Sequence, residues 1–297
     1  MPEQATSPDF AEAPPRISEW RRFARVFFGR GVVVFGLIVI LAVTISAIFA
    51  PMLAPYDPYE QNLGEALLQP SGQHILGTDV LGRDTLSRII YGTRTSLMVG
   101  ILAIGMAALI GMTLGLVAGY FGGIIYTVIM RFIDALMSLP VILLALVVAA
   151  LLGGGLKNVI IAIGIALIPS YVRLMCGQVL SVKENDYVLA ARSIGASDLR
   201  IMLRHVLPNC FPPLIVLITL EMGAAILAEA GLSFLGIGIE PPGAAWGAMV
   251  ADGYKYLLTN PMLSIAPGVA IMLVVFAFNM VGDGLRDALD PRLRGTL

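Results

Sequence analysis

Residues Lys183 to Asn209 read KENDYVLAARSIGASDLRIMLRHVLPN, and long apolar runs lie on both sides of them. The stretch is too long for a turn and too patterned for a slack linker. It holds the pair Ala190-Ala191, then Gly195 four residues on, then Leu207-Pro208. A shaped polar module between two apolar runs implies a built element held on one membrane face.

Working outward, six apolar runs predict six spans at about 32–50, 96–118, 124–152, 157–174, 212–235 and 263–283. The third is long and interrupted near Pro140. Each run approaches or exceeds the ~20 residues that cross a ~30 Å hydrocarbon core. Each must be helical, because lipid offers no partner to an unpaired amide. Alternation of the membrane-barrel kind is absent. The expected fold class is therefore all-α and polytopic. Composition agrees: of 297 residues 58% are hydrophobic and 13% charged, against about 25% charged in soluble domains. Residues 1–28 read as a polar tail, and Ile48 and Pro51 around Ala50 spoil a signal-cleavage site, so the first span is retained.

Of the 19 Lys and Arg residues, only Arg83, Arg88, Arg94, Lys157 and Lys255 fall on one side if the N-terminus is cytoplasmic. The positive-inside rule then places both termini and the polar module in the cytoplasm. The expected organisation is a tail at 1–28 and a transmembrane domain at 29–297. Outer segments fall at about 51–95 and 236–262, and the cytoplasmic loop at about 175–211. Net charge is -1, which gives no field for nucleic acid. Cys176 and Cys210 lack paired spacing, and His74 and His205 are too few for a metal cluster. The chain has no Gly-Lys-Ser or Gly-Lys-Thr of a P-loop, no metal-binding helix motif and no nucleophile elbow.

Within the polar module, Asp186 can cap a helix starting at Tyr187, whose apolar side is Val188, Ala190, Ala191 and Ile194. Gly195 suits a left-handed C-cap. Ser197 or Asp198 can cap a second helix, about 199–206, which Pro208 stops. Small residues at 190 and 191 admit another surface. A self-satisfied intracellular loop fits the same residues equally well.

Glu221 and Glu229 lie eight apart in or near the fifth span, nearly on one face. They fit the lining of a translocation path or a polar contact between subunits; a structural hydrogen bond suits Glu229. Arg131 and Asp134 predict a salt bridge on the helix before Pro140. Gly111, Gly115 and Gly119 form a close-packing stripe, used internally or against a second subunit. Asp79, Arg83, Asp84, Arg88 and Arg94 are expected to bond among themselves, or to receive a substrate-delivering protein.

Ala190, Ala191, Gly195 and Leu207-Pro208 at this spacing resemble the EAA loop of ABC-importer permeases, with Leu189 where the motif has Glu. Three further blocks resemble dipeptide/oligopeptide (nickel) permeases of the second-permease type. They are Gly77-Thr78-Asp79 through Tyr91-Gly92-Thr93-Arg94, Glu229 through Gly238, and Asn279 through Asp290-Pro291-Arg292. The resemblance covers about residues 20–297. It implies a type I ABC importer transmembrane fold and a bacterial inner-membrane location. It makes Asp186, Tyr187, Ala190, Ala191, Arg192, Gly195, Ala196 and Ser197 the coupling element for an ATPase. It implies a non-catalytic chain that binds no cofactor, with ATP and Mg in partner subunits. The implied partners are a homologous permease, two ABC ATPase subunits and an extracytoplasmic peptide-binding protein. Nickel chelates or glutathione are alternative cargoes. A stand-alone channel or secondary carrier is the other class, disfavoured by the lack of inverted halves.

Overall fold

The computed structural model describes residues 19–289. Residues 1–18 of the tail, the motif Asp290-Pro291-Arg292 and Arg294 lie outside the described residues. Helix α1 (Glu19–Phe28) is followed by α2 (Gly31–Ile48) and a single turn, α3 (Ala50–Leu53). The described part of the tail is thus a helix. Its Phe27 packs with Val33, Val281 and Ala288, and nearby Arg30 pairs with Asp287 at 2.5 Å.

The second span begins earlier than its apolar run suggests. Helix α4 (Thr85–Phe121) is 37 residues long, and Asp84 caps it by accepting a hydrogen bond from the Ser87 amide at 2.7 Å. Its first turns carry Ser87, Arg88, Thr93 and Ser96, all buried against protein rather than lipid. The third span breaks into α5 (Gly123–Met137) and α6 (Val141–Leu152), bent by 90° at a break that contains Pro140. Proline there lacks the amide that would continue the ladder and clashes with the preceding turn.

Next come α7 (Leu156–Val182), the short α8 (Asp186–Ser193) and α9 (Asp198–Ile201). After them α10 (Leu207–Phe234), α11 (Trp246–Tyr254) and α12 (Met262–Leu289) complete the chain. Pro208 does not stop a helix, contrary to expectation. A π turn at Met202–Val206 joins α9 to α10, and the Leu207 amide bonds back to the Met202 carbonyl. Pro208 falls at the start of α10, where a missing amide is tolerated. Five helices are long and apolar enough to cross a membrane, and six spans result if the bent α5–α6 pair is one.

The bundle closes most tightly between α4 and α7, along the glycine stripe. A Cβ at Gly111 would lie 2.5 Å from the Tyr171 Cβ, at Gly115 2.6 Å from the Val172 carbonyl, and at Gly119 2.8 Å from the Val179 Cβ. The stripe is therefore consumed by internal packing, and the reading as a face for a second subunit is corrected. Small residues let two backbones meet where lipid supplies no hydrophobic drive for helix association.

Candidate functional site

Three places gather the polar residues: an elbow at one end of the bundle, a charged face inside it, and a cap at the other end.

The elbow is α8 and α9. Asn185, not Asp186, holds the N-cap position of α8, and no side chain caps it. Asp186 instead sits in the first turn, where its charge complements the exposed helix amides. Gly195 has φ +80°. The Ala196 amide donates to the Ala191 carbonyl at 3.1 Å, and the Gly195 amide to the Arg192 carbonyl at 3.0 Å. This pair of bonds defines a Schellman ending, which needs a residue free to be left-handed. Ser197 takes the N-cap position of α9 without a side-chain bond.

The alanine pair divides: Ala191 is buried beside Val188 and Ile201, whereas Ala190 is exposed with Asp186, Tyr187 and Arg192. Ala196 is half-buried. The apolar side assigned to Ile194 is wrong, since that residue is 85% exposed because the Schellman turn throws it outward. Leu199 at 65% and Leu203 at 51% are exposed as well.

The anchor of the elbow escaped the sequence. Tyr120, at the end of α4, donates to the Asp198 carboxylate at 2.6 Å, and the Arg192 guanidinium lies 5.9 Å over its ring. Lys183 Nζ donates to the Gly119 carbonyl at 3.0 Å. These partners are separated by more than sixty residues, and no local pattern announces them.

Inside the bundle, Asp134 does not pair with Arg131. It accepts from Arg173 of α7 at 2.6 Å, because that arginine faces it across the α5–α7 contact. Both side chains of this pair are about half exposed, at 49% and 47%. Arg131, Asp134 and Arg173 line one groove of about 620 Å³ together with Tyr126, Thr127 and Gly177. Glu221 is half-buried. Glu229 is fully enclosed. Its Oε1 accepts from Ser233 at 2.8 Å, and its Oε2 has no partner among the described residues. The enclosed Glu229 carboxylate is held in a structural bond, whereas Glu221 is half-buried.

At the cap, Asp79 organises a tight turn. It receives Arg83 Nε at 2.7 Å, the Arg83 amide at 3.0 Å and the Leu81 amide at 2.9 Å. Arg88 reaches Asp79 at 3.6 Å and donates to the carbonyls of Pro58 at 3.1 Å and Gly243 at 3.4 Å. It thereby clamps residues 50–84 to the loop after α10. Asp84 also meets buried His74 Nδ1 at 2.9 Å, and the Tyr56 ring packs over that histidine. Arg94 departs from the expected cluster: it bonds the Ile48 carbonyl at 3.0 Å and lies over Tyr91, because its turn of α4 faces the end of α2. Trp246 donates to the Ile89 carbonyl at 3.0 Å and fills the space over Gly92. Arg83, Asp84 and Arg88 are all buried.

Comparison with known proteins gives consistent matches. A family model described as "Binding-protein-dependent transport system inner membrane component" matches residues 111–295. A second, the "N-terminal TM domain of oligopeptide transport permease C", matches residues 18–70. A dipeptide transport system permease protein DppC of Alkalihalophilus pseudofirmus is 42% identical over 99% of this chain and 97% of its own length. The DppC of Haemophilus influenzae is 43% identical over 96% and 97% respectively. A glutathione transport system permease protein GsiD of Pectobacterium atrosepticum is 44% identical over 93% and 92%. In fold, the chain is similar to the inward-facing MetNI methionine ABC transporter, with a TM-score of 0.57 at 19% identity over 69% of this chain and 97% of that one.

Proposed function

Because the chain belongs to the family of binding-protein-dependent transport system inner membrane components, we propose that its elbow docks a separate ATPase while its spans form half of a path for short peptides. It is a multi-pass, non-catalytic permease subunit of an ABC importer, and ATP hydrolysis belongs to another subunit. Two of the relatives are dipeptide permeases and a third a di/tripeptide permease, which supports dipeptides or slightly longer peptides here.

The elbow faces the cytoplasm in this reading, and the segments about 51–95 and 236–262 face outward in a bacterial inner membrane. Charge distribution along the chain supports that orientation. A homologous permease completes the path, and an extracytoplasmic binding protein delivers cargo to the cap. The buried cap charges Asp79, Arg83, Asp84 and Arg88 shape the receiving surface rather than touch the visitor. ATP binding closes the ATPase pair and carries the elbow with it. The spans then rock between inward and outward states, each populated according to its differential contacts.

One observation carries the coupling role. The elbow is rigidly tied to α4 through Tyr120 and Lys183, yet it exposes Tyr187, Leu189, Ile194, Leu199 and Leu203. Apolar area held out from a polar module marks a docking face. Both native cysteines are buried, so a single engineered thiol reports cleanly. Ile194→Cys should crosslink to a cysteine in the cleft of the ATPase subunit within the assembled complex. An elbow thiol that stays solvent-accessible throughout the ATP cycle would falsify the docking role.

A further inference from the structure

Helix α1 carries an aromatic row on one side and arginines on the other. Trp20, Phe23 and Phe27 stack in sequence, with ring centroids 5.7 and 5.4 Å apart. Arg21, Arg22 and Arg25 fall on the opposite side at helical spacing. The aromatic row runs off the edge of the protein: Phe27 is buried, Phe23 is half-buried, and Trp20 is 75% exposed. Phe28, edge-on to Phe27, is 56% exposed.

The fold pins this helix to the surface of the bilayer. Only Gly29 and Arg30 separate it from α2, so Phe28 lies at most about 11 Å from the start of a span. A Cβ at Gly284 of α12 would meet Val33 at 2.7 Å and Phe27 at 3.4 Å. Phe27 and Val33 thus touch the same point of α12, and the chain turns between them, where Arg30 is extended. Around Gly284, α12 exposes Asp283 and Arg286, and its Asp287 pairs with Arg30. Charges at this density belong to the headgroup level and not to hydrocarbon. Helix α2 ends at the cap, where Arg94 holds the Ile48 carbonyl, so α1 lies at the elbow end of the bundle.

From this we infer that α1 is a docking surface for anionic phospholipid. Trp20 and Phe28 enter the boundary of the acyl chains, as aromatic residues do at membrane interfaces. The stems of Arg21, Arg22 and Arg25 run along the apolar surface and bring their charges to the phosphates. The ten residues of α1 hold three arginines against one acidic residue, Glu19, which is the charge balance that an anionic leaflet attracts. Arg21 and Arg22 keep contacts within the protein, but a guanidinium presents five donors and serves a second anion at the same time. The bilayer, unlike any partner chain, is fixed at this place by the chain itself, because a span begins three residues after Phe28.

The test uses the complete transporter in lipid nanodiscs of one part phosphatidylglycerol and two parts phosphatidylcholine. Bromine, which quenches indole on contact, is carried by either lipid at equal mole fraction. Trp20→Phe supplies the signal of every other tryptophan, buried Trp246 included, so the difference reports Trp20 alone. Brominated phosphatidylglycerol should quench Trp20 at least about twofold more than brominated phosphatidylcholine, since each arginine near an anionic surface favours contact by about fivefold. Arg21→Gln, Arg22→Gln and Arg25→Gln combined should equalise the two lipids, whereas Lys at the same three positions should keep the preference. Absence of quenching by either lipid in the wild-type complex overturns the docking surface, because water or another subunit then covers Trp20. Equal quenching by the two lipids overturns the anionic preference. A preference that survives in the triple glutamine variant removes the arginines from the site.

Discussion

The elbow and the cap are both polar modules built around left-handed glycines, and they spend their side chains in opposite ways. At the cap, Arg83, Asp84 and Arg88 are buried and bonded to one another's segments, with Gly82 pressed so close to Asn62 that no Cβ fits. At the elbow, nothing lies within 4 Å of where a Cβ on Gly195 would point, and Ile194 is almost fully exposed. The cap is folded for its own stability, and the elbow for a partner. Substitutions at the cap should therefore cost folding, and substitutions at the elbow should cost coupling.

The largest effect expected is at Arg88. Arg88→Ala leaves the Pro58 and Gly243 carbonyls without their donor, while Asp79 keeps Arg83, and should destabilise the chain by about 2–4 kcal/mol. Thermal unfolding of the purified complex measures this, and an unchanged midpoint would show that the cap does not depend on its Arg88 clamp. Gly195→Val comes next. A β-branched residue at φ +80° costs about 1–2 kcal/mol, confined to one turn. Membrane insertion should persist while ATP-driven uptake is lost, as read by parallel membrane-fraction blots and vesicle transport. Normal uptake would remove the elbow from the coupling path.

Tyr120→Phe deletes the bond to Asp198 and should loosen the elbow by about 1 kcal/mol. Faster hydrogen exchange should then appear over 186–201 but not at the cap. Ile194→Ser should leave stability within about 0.5 kcal/mol, as exposed substitutions do, while weakening capture of the ATPase subunit on a pull-down. Equal capture by this variant would break the contrast between the two ends.

Much of the fold was legible along the chain. Six apolar runs, the break at Pro140 and the cap at Gly195 each rest on local physics: hydrophobic length, a missing amide, a missing Cβ. The errors arose where a residue's partner was remote. Asp134 chose Arg173 across the bundle over Arg131 on its own helix. Pro208 falls in the first turn of α10, after a π turn, and the helical run continues from Asp198 to Phe234. Helix α4 began eleven residues before its apolar run, because protein in the cap, not water, received its polar first turns.

Taken by itself, the order of residues determined that this chain is a helical membrane protein with a shaped polar elbow, since lipid forbids unpaired backbone and leaves few alternatives. Tertiary structure alone decided which charges are used up and which remain available. Glu229 is sealed onto Ser233, Arg88 is sealed into the cap, and Arg173 is left half open on α7. Burial depends on what packs against a residue from elsewhere in the chain, and no local pattern in the sequence encodes that neighbour.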